Sequence, residues 1–243
     1  MIYGIIPARF ASTRFPGKPL IDLKGKSMIQ RVYAQCLKAE VLDKVIVATD
    51  DQRIFDHVKS FGGTVELTAQ HHASGTERVA EVAGRLPQAE IVVNIQGDEP
   101  LLDPRQIESL VNCLQQSDAP IATLARNINP KDITNPNVVK LVRNKAGKAL
   151  YFSRSAIPFV RGEENVAKWA THTAFWQHIG LYAFKTEVLH RIPSLSPSPL
   201  EVAESLEQLR WLYHGLDIAV AETDLPTHAI DHPEDVERIL KLL

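Results

Sequence analysis

Short apolar runs alternate with segments of helical periodicity through the first half of this 243-residue chain, and this alternation limits the possible folds more than any other feature. Apolar runs typical of buried strands occupy residues 2–7, 44–49, 64–68 and 90–95. Helical spacing follows each run, with start signals at Ser27, at Asp50 or Asp51, near Thr76, and at Asp103 before Pro104. Repeated strand–helix units predict a mostly parallel sheet with helices on both faces.

The second half of the chain is less regular. The runs 138–143 and 148–153, separated by the turn residues "NKAG", predict a β-hairpin. A strand is expected at 178–184, a helix at about 199–214, a strand at 217–222 and a closing amphipathic helix at 231–243. Because the last strand and helix resume the earlier pattern, we interpret residues 1–243 as a single domain that carries an inserted hairpin region at about 137–190.

Composition excludes several classes of protein. Apolar residues make up 44% of the chain, yet no run is long enough to cross a membrane and the first residues do not resemble a secretory signal. We therefore expect a cytoplasmic protein. The net charge of −2 argues against binding to nucleic acid or to a membrane surface. Cys36 and Cys113 fall on apolar faces of predicted helices, which is typical of reduced core thiols.

The loop after the first strand carries Arg9, Arg14 and Lys18 and has no acid before Asp22. It lacks the glycines of a dinucleotide-binding loop, and the "GKS" at 25–27 lacks the strand and first glycine of a P-loop. Either arginine alone could equally be an ordinary surface residue. Together, the three cations indicate a site for an anion such as a polyphosphate.

Short sequence segments along nearly the whole chain resemble those of a known protein family. They read "IPARFASTRFPGKPL", "ATDD", "SGTER", "VNIQGDEP", "NPNVVK", "ALYFSRSAIP", "HIGLYAF", "SLEQLR" and "DHPED". In this order they resemble the cytidylyltransferases that activate 3-deoxy-manno-octulosonate (Kdo), the CMP-Kdo synthetases of lipopolysaccharide assembly. The resemblance implies a nucleotide-diphospho-sugar transferase-like α/β fold, CTP and Mg²⁺ as requirements, and a homodimer with contacts in the inserted region.

The resemblance also implies where CTP binds. Ligands of an open parallel sheet collect at the carboxyl ends of its strands, where the matching blocks are expected to lie. Arg9 and Lys18 would neutralise the triphosphate with support from Arg14, while small residues would allow the base and ribose to approach the backbone. The residues assigned to the nucleotide are Ala8, Arg9, Arg14, Lys18, Ser74, Gly75, Gln96 and Asp98.

Two aspartates are assigned to Mg²⁺ through the resemblance, namely Asp98 and Asp231. Each has a structural alternative, because Asp98 could be a turn residue and Asp231, three residues before Glu234, could cap the closing helix. The local pattern alone favours the cap for Asp231. His232 departs from the family, which more often has a hydroxyl residue there, and it receives no role.

The acceptor of the resembling enzymes is an anionic 2-keto sugar acid. The residues assigned to it are Gln96, Arg154, His178, Tyr182, Glu207 and Gln208. Arg154 would pair with the carboxylate and the others would hydrogen-bond hydroxyls, although the residue types alone favour packing or surface roles for His178 and Glu207. Trp169, Phe175 and Trp176 are interpreted as core or dimer-contact aromatics.

Three functions remain open at this stage. The favoured one is transfer of CMP from CTP to the anomeric hydroxyl of Kdo, or of another acid such as 8-amino-Kdo or a sialic acid. A metal-dependent glycosyltransferase would be expected to carry D-x-D after a central strand, and "GDEP" lacks the second aspartate. A non-catalytic nucleotide-binding module would be expected to have lost a cation of the opening loop or one of the two aspartates.

Overall fold

The computed structural model describes residues 1–11 and 15–243. Arg14, one of the residues assigned to the nucleotide, lies outside the described residues. The strands are β1 (Ile2–Ala8), β2 (Asp22–Leu23), β3 (Lys26–Ser27), β4 (Lys44–Thr49), β5 (Val65–Leu67), β6 (Ile91–Asn94), β7 (Ile121–Asn127), β8 (Lys140–Arg143), β9 (Ala149–Ser153), β10 (Trp176–Lys185) and β11 (Ile218–Glu222). The helices are α1 (Met28–Cys36), α2 (Gln52–Ser60), α3 (Gly75–Ala83), α4 (Pro104–Gln116), α5 (Trp169–His172), α6 (Thr186–Leu189), α7 (Pro199–Glu204), α8 (Gln208–Tyr213) and α9 (Asp235–Leu242).

The main sheet has the strand order β11-β7-β10-β6-β1-β4-β5. β1 pairs in parallel with β4 and β6, and β7 pairs in parallel with β11. β10 is antiparallel to both of its neighbours, β6 and β7. The predicted hairpin, β8 and β9, joins the same sheet through the first residues of β10. The mostly parallel α/β sheet predicted from the sequence is therefore confirmed.

Helices cover both faces of this sheet, as predicted. Apolar residues of α1, α2 and α4 pack on one face, and those of α3, α6 and α8 pack on the other. Cys36 is buried on the first face, Cys113 is partly buried beside it, and both are free thiols. No helix in the described part of the chain is long and apolar enough to cross a lipid bilayer.

Side chains at the predicted start signals cap the helices. The Ser27 hydroxyl accepts a hydrogen bond from the Gln30 backbone N–H at 3.2 Å. Asp51 caps α2 and Asp103 caps α4, each by accepting from the backbone N–H two residues later at 3.0 Å. These contacts satisfy N–H groups that have no partner within their own helix, so the helices begin where the sequence predicts.

Two helix predictions were wrong, and one strand of the main sheet received no prediction. The helix expected at 199–214 is divided into α7 and α8, because Ser205 adopts a left-handed conformation with φ of 51°. The closing helix begins at Asp235 instead of residue 231, with Glu234 at its N-cap. The unpredicted strand is β7, which lies inside the sheet between β10 and β11.

Two of the three aromatics of the irregular segment are buried. The rings of Trp169 and Phe175 stack with centroids 6.1 Å apart, in a small apolar cluster with Ile128 and Ile133. Trp176 at the start of β10 is partly buried, and the Arg143 guanidinium lies 4.3 Å from its ring centroid. The core interpretation is confirmed for Trp169 and Phe175.

Candidate active site

A cavity of about 240 Å³ opens at the carboxyl ends of β1 and β6. Its lining includes every described residue that the sequence analysis assigned to the nucleotide. The lining residues are Pro7, Ala8, Arg9, Lys18, Pro19, His72, Ser74, Gly75, Arg78, Gln96, Gly97 and Asp98. Cationic and carboxylate side chains therefore meet backbone and small residues in one crevice, at the sheet edge where ligands of open α/β folds bind.

Two glycines allow this crevice to form around the end of β1. A Cβ atom on Gly97 would lie 3.0 Å from the backbone oxygen of Pro7, and one on Gly75 would lie 3.2 Å from the Pro7 ring. A side chain at either glycine would require Pro7 or the glycine's own turn to shift by a few tenths of an ångström. The turns after β6 and before α3 can approach β1 because these positions lack a Cβ atom.

Lys18 connects the opening loop to both predicted metal ligands. Its ammonium donates to Asp98 Oδ2 at 2.8 Å and to the Ile230 carbonyl at 2.9 Å. Asp231 Oδ1 lies 4.0 Å from the same nitrogen. Three residues that are far apart in the sequence thus converge on one point of the cavity edge.

This convergence tests whether the site suits Mg²⁺. Because Asp98 and Asp231 both contact one ammonium, a single cation can contact both carboxylates. Two carboxylates leave most of an octahedral oxygen shell to phosphate oxygens and water, which is how Mg²⁺ is often bound in nucleotide sites. The described residues contain no group of three or more His, Cys, Asp or Glu side chains able to hold an ion unaided. The donor set fits Mg²⁺ that is bound together with a nucleotide.

The helix-cap alternative for Asp231 does not hold, because α9 begins later in the chain. The Asp235 side chain makes the local contacts, since its Oδ2 accepts from the backbone N–H groups of Asp231 and His232 at 2.9 and 3.0 Å. These bonds fix the backbone that carries the Asp231 carboxylate toward Lys18. The His232 side chain is exposed, and it still has no assigned role.

Glu207, one of the residues assigned to the acceptor, contacts residues beside the cavity. Its two carboxylate oxygens accept hydrogen bonds from the hydroxyls of Ser74 and Thr76, both at 2.7 Å. The Asn94 amide donates to the same Thr76 hydroxyl at 3.2 Å. Burial raises the pKa of Glu207 above its usual range, although both hydroxyl donors oppose this shift. The carboxylate is therefore held in a buried polar network beside the cavity.

Several buried polar atoms near Glu207 have no hydrogen-bond partner within the described chain. They include Tyr182 Oη, Gln208 Nε2 and Asn94 Oδ1. Tyr182 and Asn94 are register partners on β10 and β6, and burial holds the pKa of Tyr182 well above its usual value. Buried polar groups are almost always hydrogen-bonded in folded proteins, so a cluster of unsatisfied ones indicates a position for a polar ligand or for water.

His178 is packed and uncharged. Its ring meets Phe152 edge-on with centroids 5.0 Å apart, and its Nε2 lies 3.0 Å from the Thr123 hydroxyl. Burial lowers the pKa of His178 to about 3. The structure therefore gives His178 a neutral packing role, and sugar binding through it stays a prediction.

Arg154 contacts backbone carbonyls. Its Nε donates to the Glu204 carbonyl at 2.7 Å and its Nη1 donates to the Pro136 carbonyl at 3.0 Å, while Nη2 lies 3.4 Å from the Ser205 carbonyl. Arg154 is not among the described residues that line the cavity. These bonds fix the left-handed break between α7 and α8, from which Glu207 and Gln208 follow directly.

Three residues with ionisable side chains at the site were given no role by sequence reasoning. Arg78 is 4% exposed, lines the cavity and lies 3.2 Å from Asp50 Oδ2, while His72 lines the cavity and contacts Glu81. Burial raises the pKa of Glu99 to about 7, with a further contribution from Asp98. Arg78 lies in the quoted block "SGTER" and Glu99 in "VNIQGDEP". The sequence therefore placed both residues in blocks of the site, but it did not show that their side chains are buried.

Comparison with known proteins gives a consistent result. The model of the cytidylyltransferase family matches residues 3–218. The chain is 50% identical to the 3-deoxy-manno-octulosonate cytidylyltransferase of Parabacteroides distasonis, over 99% of this chain and 97% of that protein. It is also 50% identical to the protein of the same name from Syntrophobacter fumaroxidans, over 100% of this chain and 96% of that protein.

Solved structures show the same similarity. A CMP:2-keto-3-deoxy-manno-octonic acid synthetase complexed with CTP superposes with a TM-score of 0.92 at 40% identity, covering 99% of this chain and 97% of that one. A 4-diphosphocytidyl-2C-methyl-D-erythritol synthase from Anaerococcus prevotii superposes with a TM-score of 0.66 at 14% identity, covering 99% and 97%. The second likeness concerns the fold alone.

Proposed function

Because this chain belongs to the cytidylyltransferase family and matches 3-deoxy-manno-octulosonate cytidylyltransferases over nearly its full length, we propose that it transfers CMP from CTP to the anomeric hydroxyl of Kdo and releases pyrophosphate. The product, CMP-Kdo, would serve lipopolysaccharide biosynthesis. One observation on this chain's own residues supports the proposal. All described residues assigned to the nucleotide line a single cavity, and both assigned metal ligands contact Lys18 at its edge.

The chemistry is an in-line displacement at the α-phosphorus. The anomeric hydroxyl oxygen forms a bond to that phosphorus, the bond to the bridging oxygen breaks, and pyrophosphate leaves with its electron pair while the hydroxyl proton passes to solvent. Arg9 and Lys18 bind the triphosphate and stabilise the charge that develops on the leaving group. Asp98 and Asp231 would hold Mg²⁺, which when bound supplies charge neutralisation and lowers the pKa of the attacking hydroxyl.

The acceptor would bind where buried polar atoms lack partners. The Tyr182 hydroxyl keeps its proton and can donate, and the amide of Gln208 can donate beside it. Glu207 already joins this region to Ser74, so the sugar would lie next to the nucleotide with Gln96 between them. Direct pairing of Arg154 with the sugar carboxylate stays a prediction, and its present contacts support a positioning role.

The experiment is a pyrophosphate-release assay with CTP, Mg²⁺ and each of three acceptors, Kdo, 8-amino-Kdo and a sialic acid. Release is expected to be fastest with Kdo, and UTP in place of CTP serves as the nucleotide control. Faster release with another acid would keep the reaction class and change the acceptor. Absence of release with all three acids would contradict the proposed function.

We also propose that the protein is a cytoplasmic homodimer. Exposed apolar side chains support the dimer: Leu150 and Phe159 lie in the predicted inserted region, and Val202 and Tyr213 lie on α7 and α8. The two free cysteines suit a reducing compartment. Light scattering should give twice the monomer mass, and Leu150→Glu should shift the protein toward the monomer if this surface is the contact.

A further inference from the structure

A cation–π contact ties helix α2 to the opening loop. The Arg53 guanidinium carbon lies 3.4 Å from the centroid of the Phe10 ring. The same guanidinium is held by the α2 N-cap residue, since Nε and Nη2 donate to the Asp51 carboxylate at 2.9 and 2.6 Å. The arginine is therefore fixed in orientation by its own helix before it meets the ring.

A second arginine in the chain makes the same capping contacts without a ring. Arg105 follows the α4 N-cap residue Asp103 at the same spacing, and its Nε and Nη2 donate to that carboxylate at 3.0 and 2.6 Å. The side chains of Arg53 and Arg105 are similarly exposed, at 61% and 69%. Within the described residues, a cation–π contact is found for Arg53 and not for Arg105. The capping bridge alone thus does not account for the Arg53 contact.

Phe10 lies in the chain between Arg9 and Lys18, two of the cations that line the nucleotide cavity. It directly follows Arg9, and its carbonyl accepts from the Gly17 backbone N–H at 3.0 Å, one residue before Lys18. Gly17 is left-handed with φ of 71°, and a Cβ atom on it would lie 3.2 Å from the Phe10 ring. The ring is therefore packed against the residue that precedes Lys18 and covered by Arg53.

We propose that Arg53 is a positioning residue for nucleotide binding, which acts by holding the Phe10 ring and thereby the separation of Arg9 and Lys18 around the phosphates of CTP. The inference rests on the proposed function, because it concerns the same nucleotide cavity. Arg53 is not among the described residues that line that cavity. Arg53 therefore affects nucleotide binding indirectly, by holding Phe10.

Binding of CTP with Mg²⁺, without the sugar acid, tests this directly by isothermal titration calorimetry on full-length protein. Arg53→Ala should weaken CTP binding by roughly 2- to 5-fold, the range of an exposed cation–π contact. Arg105→Ala removes an equivalent capping bridge and should leave CTP binding unchanged. Each variant loses the side-chain bridge to its cap aspartate, and Arg53→Ala also loses the ring contact, so Arg53→Ala should lower the melting temperature slightly more than Arg105→Ala.

A second variant separates the ring contact from the charge of the arginine. Phe10→Leu keeps the Arg53 charge and should weaken CTP binding as much as Arg53→Ala does, and the double variant should be no weaker than either single one. In the complete reaction, the KM for CTP should rise by about the same factor and kcat should fall modestly, because Lys18 also stabilises the departing pyrophosphate, while the KM for the sugar acid stays unchanged.

The possible results separate failure of the proposed function from failure of the positioning role of Arg53. If wild-type protein does not bind CTP, the proposed function and this inference both fail. If wild-type protein binds CTP and Arg53→Ala behaves like Arg105→Ala, only the inference fails. If Arg53→Ala weakens binding and Phe10→Leu does not, long-range charge explains the effect and the positioning role is overturned.

Discussion

The proposed nucleotide end and the proposed acceptor end of the site are built in different ways. At the nucleotide end, the Lys18 ammonium already contacts the carboxylates of both Asp98 and Asp231 at the cavity edge. At the acceptor end, Tyr182 Oη and Gln208 Nε2 are buried without partners in the described chain. Charges at the nucleotide end are compensated before substrate arrives, whereas the acceptor end leaves polar groups for the substrate to satisfy. Changes at the first end should therefore affect turnover, and changes at the second should affect sugar binding.

The largest effect is expected from Asp98→Asn. Losing one of two carboxylates proposed for Mg²⁺ removes charge neutralisation in the transition state, so kcat should fall by roughly 10³-fold or more at saturating Mg²⁺. Pyrophosphate release measures the loss, and circular dichroism checks that the fold is retained. Asp103→Asn changes a helix cap and its bridge to Arg105, both away from the cavity, and serves as the control. Turnover near that of wild type would rule out the metal assignment for Asp98.

Lys18→Ala should have the next largest effect. If Lys18 stabilises charge on the departing pyrophosphate, both kcat and CTP binding should fall, with kcat lower by about 10²-fold, because an interaction stronger in the transition state appears in kcat. Steady-state kinetics with varied CTP measures both constants. An effect confined to the KM for CTP would reduce Lys18 to a binding residue.

Tyr182→Phe should affect sugar binding without a loss of stability. The variant removes a hydroxyl that is buried without a partner, so the free energy of unfolding should be unchanged or slightly higher. The KM for the sugar acid should rise by about 10-fold through loss of one hydrogen bond, while the KM for CTP stays constant. Denaturant unfolding and kinetics on the same preparation measure both. A destabilised variant with unchanged sugar binding would show that the hydroxyl has a structural partner instead.

Arg154→Ala is expected to have a smaller and mixed effect. The variant frees the Glu204 and Ser205 carbonyls, so the melting temperature should fall by several degrees, and the KM for the sugar acid should rise a few-fold as Glu207 and Gln208 shift. Arg161→Ala, in the same irregular region, is the control. A large rise in the sugar KM without any loss of thermal stability would instead support the carboxylate contact predicted from the sequence.

The fold was predictable where local pattern and tertiary structure agree. Apolar runs and capping residues identified β1, β4, β6 and the start of α4 because buried parallel strands and N-caps leave strong local signals. The division between α7 and α8 leaves no such signal. Ser205 is left-handed while Arg154, some fifty residues away, donates to the carbonyls of Glu204 and Ser205, and helical periodicity in the sequence continues across the break.

For the candidate site, the sequence indicated which residues lie together, and their roles stay predictions. The cations and carboxylates of the nucleotide end lie in contiguous blocks, and the structure brings their described members together in one cavity. The acceptor assignments depend on burial, which the sequence does not report. His178 and Arg154 are residue types that can bind a sugar acid. Burial lowers the pKa of His178 and keeps its ring neutral, while the Arg154 guanidinium donates to backbone carbonyls.

The smallest effect concerns His178 and the dependence of stability on pH. Burial lowers its pKa to about 3 from an ordinary value of 6.5. Between these values the unfolded chain binds a proton that the folded protein does not, so stability falls as the pH decreases below 6.5, by at most about 1.4 kcal/mol per pH unit. His178→Gln should therefore lose less unfolding free energy between pH 7 and 5.5 than wild type, and His190→Gln, at an exposed position, should behave like wild type. Equal acid slopes for wild type and His178→Gln would mean that the imidazole is protonated in the folded protein. A charged His178 could then attract the sugar carboxylate, and the contrast between a charged nucleotide end and a neutral acceptor end would no longer hold.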